Sequence, residues 1–140
     1  VYDINNFKLL DDFNIYGQGW GLTNDGQSLI LSDGSEKIYY LNPKNFEIEK
    51  TISVSVNGNK LIYINELEFI RGEIWANIWK SNDIITVNPL SGIVTSIFDI
   101  SKISEQTEIE DVANGIAWDK VNDKIFITGK NWNFIYLLDI

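Results

Sequence analysis

Three stretches of this chain repeat one another, and repetition limits the fold before any single residue is weighed. Gly19-Trp20-Gly21-Leu22-Thr23, Asn65-Glu66-Leu67-Glu68-Phe69 and Asn114-Gly115-Ile116-Ala117-Trp118 each open a unit. Leu22, Leu67 and Ile116 thus hold equivalent places about 45–50 residues apart, the length of one four-stranded blade. Second strands align as Ser28 to Ser32, Glu73 to Asn77 and Lys124 to Thr128, each entered from a turn with Asp25-Gly26, Arg71-Gly72 or Asn122-Asp123. Third strands follow at Lys37 to Leu41, Asp83 to Val87 and Asn133 to Leu137.

Two units continue, after Asn42-Pro43 and Asn88-Pro89, into outer strands at Glu47 to Ile52 and Ile93 to Ile97. Val1 to Ile4 and Lys8 to Phe13 read as the last two strands of an earlier blade. The expected fold class is therefore all-β: blades of four-stranded antiparallel sheet forming part of a β-propeller. Residues 1–140 divide into outer strands (1–15), one blade (19–54), a second (65–100) and an incomplete third (114–140). Propellers close with about four to eight blades, so these residues are expected to be a fragment or a processed chain. The remaining blades would come from the same propeller or another copy. Ser101 to Asp111 is the one candidate for a short helix or irregular insert; polar, acidic and between blades, it reads rather as a surface loop.

Composition removes several kinds of chemistry. The formal charge of −9 argues against a nucleic-acid partner, because phosphate calls for a basic surface. The chain has no Cys and no His, which excludes the usual zinc sites, Cys nucleophiles and His-based triads. No apolar run approaches the roughly 18–20 residues of a membrane span. Chemistry in these residues must use carboxylates, Lys, Tyr, Trp, amides or a hard metal. No cofactor is expected; propeller channels can gather oxygen ligands for a structural calcium, but no loop has a recognisable calcium spacing.

Inner strands line a propeller's channel, and theirs is the most unusual chemistry in the chain. Trp20 stands between two glycines, so its indole either lies open to a ligand or serves as a wedge between blades. Alternation puts Trp75, Asn77 and Trp79 on one face of a strand, either as a binding wall or packed on the next blade. Lys130, followed by Asn131-Trp132, is either a site cation beside an indole or a solvated strand end.

The strings Gly19 to Gly26, Ser32-Asp33-Gly34-Ser35, Asn65-Glu66-Leu67-Glu68, Trp75 to Trp79, Asn114 to Ala117 and Thr128-Gly129-Lys130-Asn131-Trp132 resemble the plant and bacterial type of glutaminyl-peptide cyclotransferase. The resemblance runs along nearly the whole chain and implies about three blades of a five-bladed propeller. It also implies a zinc-independent acyltransferase that converts the N-terminal glutamine of a peptide to pyroglutamate with release of ammonia.

Carried over by motif, the resemblance makes Lys130 and Asn65 catalytic and Trp20 and Trp79 substrate-binding. The physics suits those roles. The substrate's α-amine attacks its own γ-carboxamide, and donors aimed at the resulting oxyanion are worth roughly 3–4 kcal/mol each. The two indoles would hold the glutamine side chain folded and dry. The family's acid/base carboxylate is expected upstream of Val1, so this stretch alone is expected to be inactive. Glu66 and Glu68 read as braces of strands or turns, and Gln18 stands where relatives often carry an acid. The resemblance further implies a periplasmic or secreted location and peptide or protein partners with N-terminal Gln. The alternative is a non-catalytic propeller that binds peptides or small ligands through the same aromatic channel. A metal-dependent propeller hydrolase has only Asn65, Glu66 and Asn114 to offer as ligands.

Overall fold

The computed structural model describes residues 1–15, 17–104 and 112–139. Its first sheet is a meander of β1 (Gly21–Asn24), β2 (Leu29–Ser32), β3 (Lys37–Leu41) and β4 (Ile48–Ser53), each antiparallel to the next. A small hairpin, β5 (Ser55–Val56) with β6 (Asn59–Lys60), links it to the second. That second meander comprises β7 (Ile64–Ile70), β8 (Glu73–Ile78), β9 (Asp83–Val87) and β10 (Val94–Asp99). One helical turn, α1 (Ser101–Ser104), leads towards the third sheet, β11 (Ala113–Asp119), β12 (Lys124–Gly129) and β13 (Tyr136–Leu138).

The inner strands β1, β7 and β11 lie beside one another, which makes the sheets successive blades of a β-propeller. Turn chemistry sets the meander. Asp25 accepts the amides of Gln27 and Ser28 at 2.8 and 2.7 Å, around Gly26 at φ +88°. Both Asn-Pro turns close alike: the Asn42 side chain accepts the Lys44 amide at 2.8 Å and that of Asn88 accepts Leu90 at 2.9 Å.

The core lies between blades. Ile30, Ile38, Tyr40, Ile52 and Val54 of the first blade pack against Ile64, Leu67, Ile74, Ala76, Ile78, Ile85 and Val87 of the second. Ile70, Trp75, Ile84 and Ile100 of the second meet Ala113, Ile116, Ile125 and Ile127 of the third. Burying one such Ile contributes about 1.5–3 kcal/mol. The middle blade is covered on both faces, so β8 is buried from Ile74 to Ile78 and does not alternate polar with apolar.

Polar ties cross the same seams. Glu66 accepts the Ile116 amide at 2.9 Å and Glu68 that of Trp118 at 3.2 Å, so both carboxylates brace β11 from β7. Thr23 donates to Glu68 at 3.1 Å and accepts the Phe69 amide at 3.1 Å, joining β1 to β7. On the outer side, the Pro89 carbonyl receives the Tyr40 hydroxyl at 3.1 Å and the Lys50 ammonium at 2.9 Å.

Three sequence expectations differ locally. Val1 to Ile4 and Lys8 to Phe13 meet in a single antiparallel bridge, Tyr2 to Leu9, and Phe7 turns at φ +54°. Almost every side chain there is exposed, so no burial supports a longer ladder. The third strand of the last blade begins at Tyr136 rather than Asn133, because Asn131 at φ +59° and the Thr128 hydroxyl bond to the Phe134 carbonyl hold 130–135 as a turn. The loop expected over 101–111 begins as helix α1, and 105–111 lie outside the described residues. No helix among the described residues is long and apolar enough to cross a membrane.

Candidate active site

Register places all four candidate residues at one end of the sheets. Gly21 pairs with Ser32, Ile64 with Ile78 and Ala113 with Gly129, so the starts of the inner strands lie beside the ends of the second strands. Trp20 precedes β1, Asn65 is the second residue of β7, Trp79 follows β8 and Lys130 follows β12.

Trp20 and Trp79 meet edge to face, ring centroids 5.5 Å apart at 81°. Trp20 extends the ladder by donating its amide to the Ser32 carbonyl at 2.9 Å, and its indole NH donates to the Gln18 side chain at 2.9 Å. Its ring lies over Gly34, where an added Cβ would stand 2.6 Å from Cε2. Trp79 donates its amide to the Tyr63 carbonyl at 2.9 Å, and the Tyr63 ring lies 5.7 Å from its own. The Lys80 ammonium stands 4.5 Å from the centre of the Trp79 ring, a cation–π contact.

One local expectation changes here. Alternation groups Trp75, Asn77 and Trp79, but only the first two face the third blade: Trp75 packs in one cluster with Ile116 and Ile125, and Asn77 accepts the Gly115 amide at 3.1 Å. Trp79 instead joins Trp20 from the first blade, because β8 ends at Ile78 and the chain turns through Lys80 at φ +61°. Gly21 lets the backbones of β1 and β7 approach, and the glycine that seats the ring is Gly34.

Asn65 is buried, and its carbonyl receives the Ser32 hydroxyl at 2.5 Å. Its side-chain amide has no hydrogen-bond partner among the described residues. Lys130 is exposed and anchored by its backbone, whose amide donates to the Val112 carbonyl at 3.0 Å. Among the described residues its ammonium has no ion pair and no ring contact with the indoles. The structure thus joins Trp20 to Trp79, sets Asn65 beside them through the β1–β7 seam, and leaves Lys130 one blade away at the same end. The neighbouring Trp132 indole packs over Gly129 and edge-on to Tyr136 at 5.8 Å.

Sequence reasoning passed over Tyr63 and Lys80, and took Asp33-Gly34 for turn chemistry alone. Tyr63 directly precedes an inner strand that opens a repeat, and that position was the available signal. Asp33 accepts the Ser35 amide at 2.9 Å, the Ser35 hydroxyl at 2.5 Å and the Tyr39 hydroxyl at 2.9 Å. Partial burial pushes its carboxyl up, but these bonds outweigh burial and hold it below the usual carboxylate range.

Glu66 shows the opposite balance. Burial, with the Glu68 charge adding, pushes it up to about 7 against the Ile116 amide that favours its anion. A raised folded value makes ionisation costly to the fold. The cost is absent below the ordinary carboxylate range, grows as pH rises from there and is complete above about 7. Glu66→Gln keeps an acceptor for Ile116 and removes the charge. It should therefore be more stable than wild type at pH 8, by about 2 kcal/mol once solvent access to the half-buried group is allowed for, and equal to it near pH 4. Thermal melts at the two pH values check this, and an equal margin at both would show that burial does not set the ionisation.

A sequence model described as glutamine cyclotransferase matches residues 1–140. The curated glutaminyl-peptide cyclotransferase of Arabidopsis thaliana is 35% identical over 146 residues, covering 100% of this chain and 46% of that protein. The crystal structure of Myxococcus xanthus glutaminyl cyclase superposes with a TM-score of 0.82 at 33% identity, over 89% of this chain and 58% of that one. A streptogramin B lyase structure, with a TM-score of 0.54 at 19% identity over 87% of this chain and 40% of that one, shares the fold alone. The chain spans about half the length of the relatives it matches. Family model, relative and superposed propeller agree with the motif resemblance, and the chain belongs to the glutamine cyclotransferase family.

Proposed function

We propose that the full-length protein carrying this chain is a glutaminyl-peptide cyclotransferase, which closes the N-terminal glutamine of a peptide to pyroglutamate and releases ammonia. The observation that carries the reading is the meeting of Trp20 and Trp79, from two blades, at the end of the inner strands where Asn65 and Lys130 also lie.

The roles follow from the chemistry. The indoles wall the glutamine side chain, holding the α-amine against the γ-carboxamide carbon and excluding water. Attack forms a C–N bond and an oxyanion; collapse breaks the bond to the amide nitrogen, which leaves as ammonia. The Asn65 amide and the Lys130 ammonium are donors for that oxyanion. A nearby ammonium also lowers the pKa of the α-amine, ordinarily about 7.7–8.0, and enlarges its reactive neutral fraction. Proton transfer from amine to departing ammonia is assigned to a carboxylate outside these residues. No metal enters this scheme. Peptide substrates and an exported location, periplasmic or extracellular, complete the reading and are supported by the family resemblance.

The test is ammonia release by the full-length protein from a glutaminyl dipeptide and from its N-acetylated form. Cyclisation needs the free amine, so release is expected from the first alone. Release from both would indicate amide hydrolysis, and release from neither, with the dipeptide still bound, would indicate a binding propeller.

A further inference from the structure

The two indoles that meet at the site belong to different blades, so something must set their relation. Gly34, in the turn between β2 and β3, is in contact with both sides of the pair. Its Cα lies under the Trp20 ring, where a Cβ would be 2.6 Å from Cε2 and 2.7 Å from Cζ2. Its carbonyl accepts the Tyr63 amide at 2.8 Å, and the Tyr63 carbonyl accepts the Trp79 amide at 2.9 Å. Two backbone hydrogen bonds therefore run from the seat of one indole to the root of the other.

Gly34 itself needs holding, since it sits at φ +83° in a half-buried turn. Asp33 does this. One carboxylate oxygen accepts the Ser35 amide and hydroxyl, at 2.9 and 2.5 Å, while the other accepts the Tyr39 hydroxyl at 2.9 Å. Both oxygens are committed to the turn, which ties Gly34 down from the residue behind it, the residue ahead of it and strand β3. The Ser35 hydroxyl in turn accepts the Lys37 amide at 3.1 Å, fixing the start of β3.

We propose that Asp33 is a positioning residue of the candidate active site, setting the angle between Trp20 and Trp79 through Gly34 and Tyr63. The inference rests on the reading of those indoles as the wall of the peptide site. Its effect on turnover is on substrate binding rather than on the chemical step, because the wall holds glutamine while the donors act on the oxyanion.

The experiment is far-ultraviolet circular dichroism of the full-length protein, in which two indoles in edge contact give an exciton couplet; loss of that band in Trp79→Phe assigns it to this pair. Asp33→Ala should reduce the couplet by about half or more and raise KM for a glutaminyl dipeptide about tenfold, with kcat changed less than about threefold. Asp33→Asn keeps an acceptor for Ser35 and a polar partner for Tyr39, and it should restore both. A full couplet in Asp33→Ala at the wild-type melting temperature would overturn the proposal. If that variant does not fold, Ser35→Ala, which removes one hydroxyl, replaces it: a weakened couplet supports the proposal and a full one overturns it. A couplet that falls while the wild type shows no turnover would uphold the positioning and defeat only the cyclase reading.

Discussion

Gly21→Ala should cost about 3 kcal/mol or more of stability, read as a lower urea midpoint at unchanged slope. The new Cβ would stand 2.8 Å from the Glu66 Cα and 2.9 Å from the Leu67 nitrogen, with the Asn65 carbonyl oxygen nearer still. All three are backbone atoms of β7 and cannot swing aside as a side chain would. Ser32, paired with Gly21, donates its hydroxyl to that same carbonyl, so β1 cannot withdraw without breaking a buried bond. The blades would have to part along the seam that Ile30, Ile64 and Leu67 fill. Gly19→Ala is the control: its Cβ would meet only side-chain tips, Ile15 Cδ1 at 3.3 Å and Leu31 Cδ1 at 3.5 Å, and its effect should stay within about 0.5 kcal/mol. Equal midpoints for the two variants would show that the seam yields freely.

Lys130→Ala should lower kcat of the full-length protein about a hundred- to a thousandfold, equivalent to about 3–4 kcal/mol of transition-state stabilisation. The expectation follows from an exposed cation at the end of the sheets where Trp20, Asn65 and Trp79 also lie, with no ion pair among the described residues. Because the side chain is exposed and the residue is anchored by its backbone bond to Val112, the fold should be unaffected. The melting temperature should therefore match wild type while turnover falls. A kcat within about threefold of wild type would remove Lys130 from the oxyanion's surroundings and leave Asn65 as the remaining donor assigned in these residues.

Most of the fold was legible because a blade is a local object. Turn residues at regular intervals and runs of Ile, Val and aromatics define each meander without reference to its neighbours, as in β7, β8 and β9. The candidate site was legible only through the motifs of the family resemblance. Its internal contacts were not. Strand alternation gave the face of Trp75 and Asn77 only as far as β8 continues, and Trp79 lies one residue past its end. Gly21 read as a neighbour of Trp20, whereas its purpose lies on another blade. Glu66 read as a brace, which its bond to Ile116 fits, but its displaced titration comes from burial between strands that no local pattern reports.

The sequence by itself therefore determined the repeat, the strand order within each blade and the family resemblance, which named Trp20, Asn65, Trp79 and Lys130 as candidates, since each follows from periodicity and motif. Tertiary structure alone decided which indoles touch, that Gly21 lies against β7 and that Lys130 stands apart from the indole pair. Those outcomes depend on how one blade packs on the next, and contacts between residues some 45 positions apart are set by the summed burial of two faces rather than by any run of neighbouring residues.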